Sequence, residues 1–461
     1  MKSSRTVVTL LVILPQLWIF QGGGWNQNSR FALSRALLLR GSVSIDPDAD
    51  VTRDLAFRDG HTYCDKAPAV SFAAAAALAI AGPIASACGL EPDRPAWWRA
   101  VPYAVTVLAI SLPVALTAGA LYAFLAALFS PLAALLAVAA IFLGSPLLGY
   151  AGLLYGHAPA GCLIALGYLA LAGKGARACA WAGLAASVAI CVEYTAALGA
   201  VFLFAYALAD PSLRKSVWSA FAAATPPLFL LALYHTAAFG SPLGIGYAHL
   251  PAEQFQGMGK GLFGLHLPRP QALWQLTFGE HRGLFRFAPV LLLALPGSAL
   301  LWKKRRADVI LSLGLCLGFL LLNAGYVYWD GHASFGPRHA LPGAVLLAVP
   351  LAAAARRWPA LFLALLVPSL LICGLAWCTR PEAAPLDWSP IQDSWLPFWN
   401  KDAIGASIFW FNARDPLDYR SGFSLPLLVG LDGRAALLPL IPLVAGLLLL
   451  WRRAVGATVR P

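Results

Sequence analysis

The chain has 461 residues, of which 59% are hydrophobic and 12% charged, with 16 Trp, 34 Pro and a formal net charge of +12. Soluble domains are about 45–50% apolar and about 25% charged, so these figures exclude both a soluble globule and a disordered chain. Mean hydropathy is +0.71, and apolar runs separated by short charged punctuation recur throughout, as expected of one polytopic helical membrane domain over 1–461.

A spanning helix needs about 20 mostly apolar residues, and Lys and Arg stay on the cytoplasmic side. Six basic clusters mark that side: Lys2/Arg5, Lys174/Arg177, Arg214/Lys215, the run 303–306, Arg356/Arg357 and Arg452/Arg453, with Arg94/Arg99 as a weaker seventh. Between them lie apolar runs at 7–20, 70–89, 101–155, 158–172, 178–209, 217–236, 287–301, 309–327, 341–355, 361–377 and 435–450. The N-terminal run reads as an uncleaved first span, because Gln21-Gly22-Gly23-Gly24-Trp25 has no small-x-small cleavage site. The run 101–155, broken at Pro113, Pro131 and Pro146, holds one or three spans. The run 178–209 starts and ends beside inner markers, so it divides into two short spans turning near Glu193 and Tyr194. Twelve or fourteen spans result, with both termini inside.

This topology puts the excess of positive charge on the inner face, where it reflects insertion and not a nucleic-acid partner. Histidine is one-sided in the other direction: His61, His157, His235, His249, His266, His281, His332 and His339 all fall on or near the outer face, which favours chemistry or ligand binding there. Six of the eight Cys lie inside apolar runs, where a thiol acts as a small hydrophobe, so no disulfide framework is expected.

The first outer loop, 21–67, begins as an amphipathic interfacial helix in which Phe31, Leu33, Leu37 and Leu38 alternate with Arg30, Arg35 and Arg40. Asp46-Pro47-Asp48-Ala49-Asp50 lacks the Gly and terminal Glu of a calcium loop and reads as a solvated turn, so no metal is expected. Asp54, Asp59, His61, Tyr63, Asp65 and Lys66 then crowd where the chain re-enters lipid, a costly arrangement unless the charges are paired or used. Glu193 and His157 are polar residues in apolar surroundings at the same face. The second long outer loop, 239–286, carries Tyr247 and Arg282. Its Gly259-to-Gly264 GxGxxG string follows no strand, so it is no dinucleotide site, though the turn beside Lys260 can offer backbone N–H groups to a phosphate. Arg338 and His339 again stand directly above a span. The loop 379–434 contains Trp388, Trp395, Trp399 and Trp410 and reads as a membrane-surface aromatic belt.

An outer first loop carrying Asp and ending in Tyr63-x-x-Lys66-x-Pro68 resembles the GT-C class of glycosyltransferases, polytopic enzymes that use polyprenyl-phosphate sugars, such as bacterial protein O-mannosyltransferases and aminoarabinose transferases. The wider series Asn28-Ser29-Arg30, Thr52-Arg53-Asp54, Asp59-Gly60-His61, Gly156-His157, Glu193-Tyr194, Arg282-Gly283-Leu284-Phe285 and Phe335-Gly336-Pro337-Arg338-His339 extends the likeness over most of the chain. One departure is that better-known members place an acid directly after the first span, where this chain has Asn26-Gln27-Asn28. The resemblance implies an all-α bundle, a multi-pass protein of the cytoplasmic (inner) membrane with its active site on the periplasmic side, a lipid-linked sugar donor, a glycan, lipid or protein acceptor, inversion at the anomeric carbon, and no cofactor.

In that chemistry a carboxylate accepts the acceptor's proton and cations stabilise the departing phosphate. Asp54 is the expected base, with Asp59 and Glu193 in reserve. Lys66, Arg282 and Arg338 are the expected phosphate ligands, helped by His61 and His339, with Tyr63, His157 and Tyr247 lining the substrate site. The competing class is a membrane transporter or lipid flippase, which commonly shows internal repeats and midplane charges. No repeat is visible here, and the ionisable groups gather at one face. A non-catalytic membrane scaffold is the third possibility.

Overall fold

The computed structural model describes residues 2–92, 94–251, 255–259, 261–381, 389–404 and 422–459. In chain order, α1 (Lys2–Trp18) and β1 (Ile19–Gln21) lead to α2 (Trp25–Arg35), the hairpin β2 (Leu55–Arg58) and β3 (His61–Cys64), and α3 (Ala69–Ala87). The helices α4 (Ala96–Leu128), α5 (Pro131–Phe142), α6 (His157–Leu171), α7 (Gly175–Val192), α8 (Tyr194–Ala209) and α9 (Trp218–Phe239) follow. After α10 (Pro270–Thr277) come α11 (Pro289–Leu301), α12 (Arg306–Gly325), α13 (Arg338–Arg357), α14 (Pro359–Thr379), β4 (Gly422–Ser424) and α15 (Gly433–Ala457). Among the described residues, eight of these helices are long and apolar enough to cross a membrane, and α5, α6, α8 and α11 are shorter apolar helices. The protein is a multi-pass membrane protein, as its composition requires. All eight cysteines are free thiols, and only Cys88 is exposed.

Side-chain contacts fix the relative directions of the helices. The Trp18 indole donates to the Ala436 carbonyl at 2.7 Å, while the Trp451 indole donates to the Tyr122 hydroxyl at 2.9 Å, so α15 descends beside the first span. The Tyr103 hydroxyl donates to the Leu17 carbonyl at 2.9 Å, and Gly119 sits against Arg5 and Thr9 at the other end, so α4 runs antiparallel to α1. Trp98, near the start of α4, packs edge-on against Phe31 of α2, with ring centroids 6.2 Å apart, and lies under the Arg35 guanidinium at 4.9 Å. The turn between α3 and α4 therefore lies beside the first loop, on the face where α1 ends.

One sequence expectation changes as a result. Arg94/Arg99 lies at the opposite end of the bundle from Lys2/Arg5, because aromatic and cation–π contacts tie the start of α4 to α2. Within the run 101–155 one helix, α4, is long and apolar enough to cross a membrane, and α5 is a shorter apolar helix. The prolines act as local stops: Pro131 opens α5, Pro146 lies in the turn after it, and Pro113 follows a π-turn at Val107–Ser111 within α4. That distortion is stitched to the neighbouring turn by Ser111, whose hydroxyl donates to the Ala151 carbonyl at 2.8 Å.

Small residues set the closest helix contacts, as is usual where lipid offers no hydrophobic drive for association. On α7, Gly183 lies against the Ala220 backbone of α9 so tightly that a Cβ there would overlap the carbonyl. Gly183→Leu is expected to push α9 off α7 and destabilise the bundle by about 1–3 kcal/mol, the usual range for overpacking. Thermal unfolding in detergent measures this, and a melting temperature equal to the parent's would count against the packing.

Candidate active site

The site starts from the hairpin. Asp59 and Gly60 have φ of 51° and 82°, the paired positive values of a tight two-residue hairpin turn for which Asp-Gly is suited. This turn sets the register Leu55↔Cys64, and so brings Asp54 beside Asp65 and Lys66. Asp54 is held from the other side as well: its carbonyl accepts from the Ser29 hydroxyl at 2.7 Å, and its N–H donates to Thr52 Oγ1 at 3.1 Å. Its side chain is 10% exposed, and its Oδ2 lies 3.1 Å from Lys66 Nζ.

Lys66 is the hub. Its ammonium also donates to Asp65 Oδ2 at 2.9 Å and lies 5.7 Å from the Tyr247 ring centroid. Burial would strip its proton, but Asp54 and Asp65 together hold it well above the usual lysine range. Asp65 is fully buried, and its Oδ1 has no hydrogen-bond partner. Burial, opposed by Lys66 and reinforced by Asp54, pushes the Asp65 carboxyl up to about 6.

Around this hub the chain closes from three directions. From α2, the Arg30 guanidinium donates to Asn26 Oδ1 at 2.9 Å and to the Ala67 carbonyl at 3.0 Å, and approaches Glu193 at 4.0 Å. Glu193 sits at the turn between α7 and α8, 3.4 Å from His157 Nδ1 at the start of α6. Gly156 makes that meeting possible, since a Cβ there would stand 2.6 Å from the Val192 carbonyl oxygen and 2.9 Å from Glu193 Oε2. The His157 ring meets His339 edge-on at 5.1 Å, and His339 in turn packs on Tyr326 at 5.4 Å. Arg338 lies over the Tyr155 ring at 5.5 Å, and its charge and that of Lys66 both act on Glu193. Beyond α9, Gly246 presses on the Asp65 backbone and seats Tyr247, which meets Tyr194 edge-on at 6.3 Å.

Asp54, Glu193, Lys66, His157, Tyr247, Arg338 and His339 thus come together from five separate stretches of chain. Four other expected site residues do not join them. Asp59 stands at the hairpin tip, 74% exposed and paired with Arg58 at 3.0 Å, because the turn geometry points it away from the bundle. His61 is exposed and pairs with Asp46 at 2.7 Å on the outside of the same hairpin. Tyr63 faces the small apolar cluster beneath the hairpin, where its ring meets Phe239 at 5.9 Å. Arg282 is fully buried and is spent on backbone: it donates to the carbonyls of His281 at 2.8 Å, Asp330 at 2.6 Å and His332 at 2.5 Å. It shapes the stretch that presents Arg338 and His339 and is not placed as a phosphate ligand.

The Asp46–Asp50 segment is likewise occupied by protein. Asp46 accepts from the Thr62 N–H at 2.5 Å, and although burial would raise its carboxyl, hydrogen bonds from Ser44, His61 and Thr62 hold it at about 2. Asp48 pairs with Arg35 and, at 3.0 Å, with Arg40. Among the described residues no group of three or more His, Cys, Asp or Glu is arranged to hold a metal. Of the tryptophan-rich loop, Trp388 and Trp410 lie outside the described residues, as does Lys260. Trp395 departs from the expected surface belt: it is fully buried, packs against Phe335 at 5.2 Å, and donates to the Arg380 carbonyl at 2.8 Å.

Asp65, Arg30 and Gly156 had no role assigned from the sequence, nor did Tyr155, Tyr194 and Tyr326. The signals present were the adjacency of Asp65 to Lys66 and the places of Arg30, Gly156 and Tyr194 in the motif series Asn28-Ser29-Arg30, Gly156-His157 and Glu193-Tyr194.

Removing Arg282 takes the donor from three part-buried carbonyls, each costing up to about 1–3 kcal/mol where water cannot replace it. Arg282→Met is therefore expected to lower the melting temperature in detergent sharply, whereas Arg338→Met leaves it near the parent value. Equal melting temperatures for the two variants would contradict this division of labour.

No family model matches the chain, and no curated protein is a significant match. Solved structures do match. The oligosaccharyltransferase of Archaeoglobus fulgidus tethered to an acceptor peptide aligns with a TM-score of 0.52 at 14% identity, over 92% of this chain and 59% of that one. Its apo form gives 0.50 at 13% identity over 92% and 60%. ArnT from Cupriavidus metallidurans bound to undecaprenyl phosphate gives 0.47 at 15% identity over 76% and 59%. The chain spans about six tenths of the length of these structures. At such identities the likeness is one of fold, and it is the GT-C fold that the sequence resemblance implied.

Proposed function

We propose that the protein is a membrane glycosyltransferase that moves a sugar from a polyprenyl-phosphate donor to an acceptor hydroxyl at the face where α1 ends, the periplasmic face of the inner membrane by the charge rule. The observation that carries this reading is a buried carboxylate, Asp54, bonded to Lys66 in a polar cluster that Arg338 and His339 join from some 270 residues further along the chain. The fold shared with an oligosaccharyltransferase supports it.

Each group has one task. Asp54 accepts the acceptor's hydroxyl proton as that oxygen bonds to the anomeric carbon. The anomeric carbon–oxygen bond to phosphate breaks on the opposite face, and its electron pair leaves with the phosphate. Lys66 and Arg338 meet the charge that develops there, an electrostatic contribution made large by exclusion of water. Glu193 orients His157 and, with it, His339. The tyrosine rings of Tyr155, Tyr194, Tyr247 and Tyr326 supply flat apolar faces for a sugar.

Purified protein in detergent, given undecaprenyl-phosphate hexoses or pentoses labelled in the sugar together with membrane acceptors, is expected to transfer label from at least one donor. Asp54→Asn should lower kcat by about 10²–10⁴-fold with donor binding nearly intact. Arg338→Ala should weaken donor binding by roughly 10–150-fold, the worth of a charge-assisted hydrogen bond. Transfer should continue in EDTA, because Asp46 and Asp48 are engaged by protein partners. Label transfer that survives both substitutions would end the assignment.

A further inference from the structure

Asp65 is the one acid of this cluster that the chemistry above does not use. It is fully buried, it shares the Lys66 ammonium with Asp54, and its second oxygen is left without a donor. Its place is fixed by backbone, since β3 precedes it and Gly246 closes over its Cα so tightly that a Cβ there would come within 2.5 Å. The other Asp65 oxygen, Oδ2, accepts from the Lys66 ammonium at 2.9 Å, a shorter contact than the 3.1 Å from Asp54.

We propose that Asp65 is a positioning residue for proton transfer: by taking up part of the Lys66 ammonium's charge, it keeps Lys66 fixed and protonated while leaving Asp54 basic enough to accept the acceptor's proton. The inference rests on the glycosyltransferase reading for its consequence in turnover, and on geometry alone for the coupling between the two acids. A carboxylate paired one-to-one with a buried ammonium is a poor base, because protonating it gives up the whole ion pair. With two carboxylates on one ammonium, protonating Asp54 gives up only part of that interaction, and Lys66 remains paired to Asp65 throughout.

The charged and titratable groups facing Asp65 are few in kind. Lys66 and Cys64 flank it in sequence, Asp54 precedes β2, and Arg30 reaches it from α2. Tyr194 comes from the α7–α8 turn, Tyr234 from α9, Tyr247 from the loop beyond and Tyr326 from the end of α12. Of these, Asp54 is the other carboxylate on the Lys66 ammonium. Because the Asp65 carboxyl lies at about 6, lowering the pH through that value neutralises it, hands Lys66 wholly to Asp54, and weakens the base.

Two measurements on the full-length protein test this. In the first, kcat for label transfer is followed against pH. The parent should lose activity as the pH falls through about 6. The isosteric variant Asp65→Asn, fixed in the neutral state, should show kcat lowered roughly tenfold at neutral pH, with donor KM little changed and that acidic limb moved to lower pH. An Asp65→Asn profile that keeps the parent's limb, or a variant that loses only thermal stability with kcat unmoved, would overturn the proposal.

The second needs no turnover. In pH-difference infrared spectra the parent should show a buried carboxyl band titrating near 6 that is absent from Asp65→Asn and moves to lower pH in Asp54→Asn. If the band behaves so while no donor yields transfer, the glycosyltransferase reading falls and the coupling stands. If its midpoint ignores Asp54→Asn, the coupling falls whatever the activity.

Discussion

A single ammonium organises the half of this molecule at which α1 ends. An unpaired charge in apolar surroundings costs many kcal/mol, so Lys66, brought below the surface where the chain returns to the bundle, requires carboxylates at contact distance. Asp54 and Asp65 supply them. That requirement propagates. The hairpin register brings the two acids together, Arg30 of α2 clamps the carbonyl of the next residue, Ala67, and the segment carrying Gly246 and Tyr247 closes over the top. Substituting one member of such a group is costlier than never having had it, because a partner is left buried and unsatisfied.

The same accounting explains the irregular backbone at this face. Between α5 and α6 the buried chain has a single helical turn, Leu147–Tyr150, and between α12 and α13 the partly buried chain has none, an arrangement membrane proteins tolerate only where neighbours supply partners. Here the partners are named side chains. Gln16 donates to the Leu148 carbonyl at 3.0 Å and Gln27 accepts from the Leu154 N–H at 3.0 Å. The Tyr150 hydroxyl accepts from the Phe335 N–H at 2.9 Å, and Asn323 donates to the Trp329 carbonyl at 2.8 Å. Arg282 adds its three carbonyls. Tyr155, His157, Arg338 and His339 project from, or directly beyond, these braced stretches, so the polar residues that look functional in sequence divide into those that brace and those that are presented.

Sequence could not make that division, and the particular failures show why. The hydrophobic runs and basic clusters located most crossing helices, because both are one-dimensional signals of insertion. Arg94/Arg99 misled because the charge rule reads a cluster without knowing which aromatic rings it will pack among. Asp59 looked like a reserve base, yet Asp59-Gly60 is better read as a hairpin turn that needs positive φ, a cue present in the letters themselves. Arg282 and Arg338 look alike in sequence, each an Arg just above a span. Only the three carbonyls on the first separate them, and carbonyls leave no trace in a sequence. Glu193 was legible because ionisable residues in apolar surroundings are rare enough to stand out, and Asp54 and Lys66 because charges crowd where the chain re-enters lipid.

The balance of charge in this cluster bears on how chemistry can proceed there. Asp54, Asp65 and Glu193 stand against Arg30, Lys66 and Arg338, so the resting cluster carries little net charge despite holding six ionisable side chains. A low-dielectric site resists any step that creates net charge. On the proposed reaction none is created: the proton that neutralises Asp54 leaves the acceptor as the donor's bond electrons leave with the phosphate, so negative charge moves from the base towards Lys66 and Arg338 without crossing to solvent. Lys66 touches the base and, on that reading, faces the leaving group as well. It is therefore placed to gain interaction with phosphate as it loses interaction with Asp54, and Asp65 keeps it from following either one away.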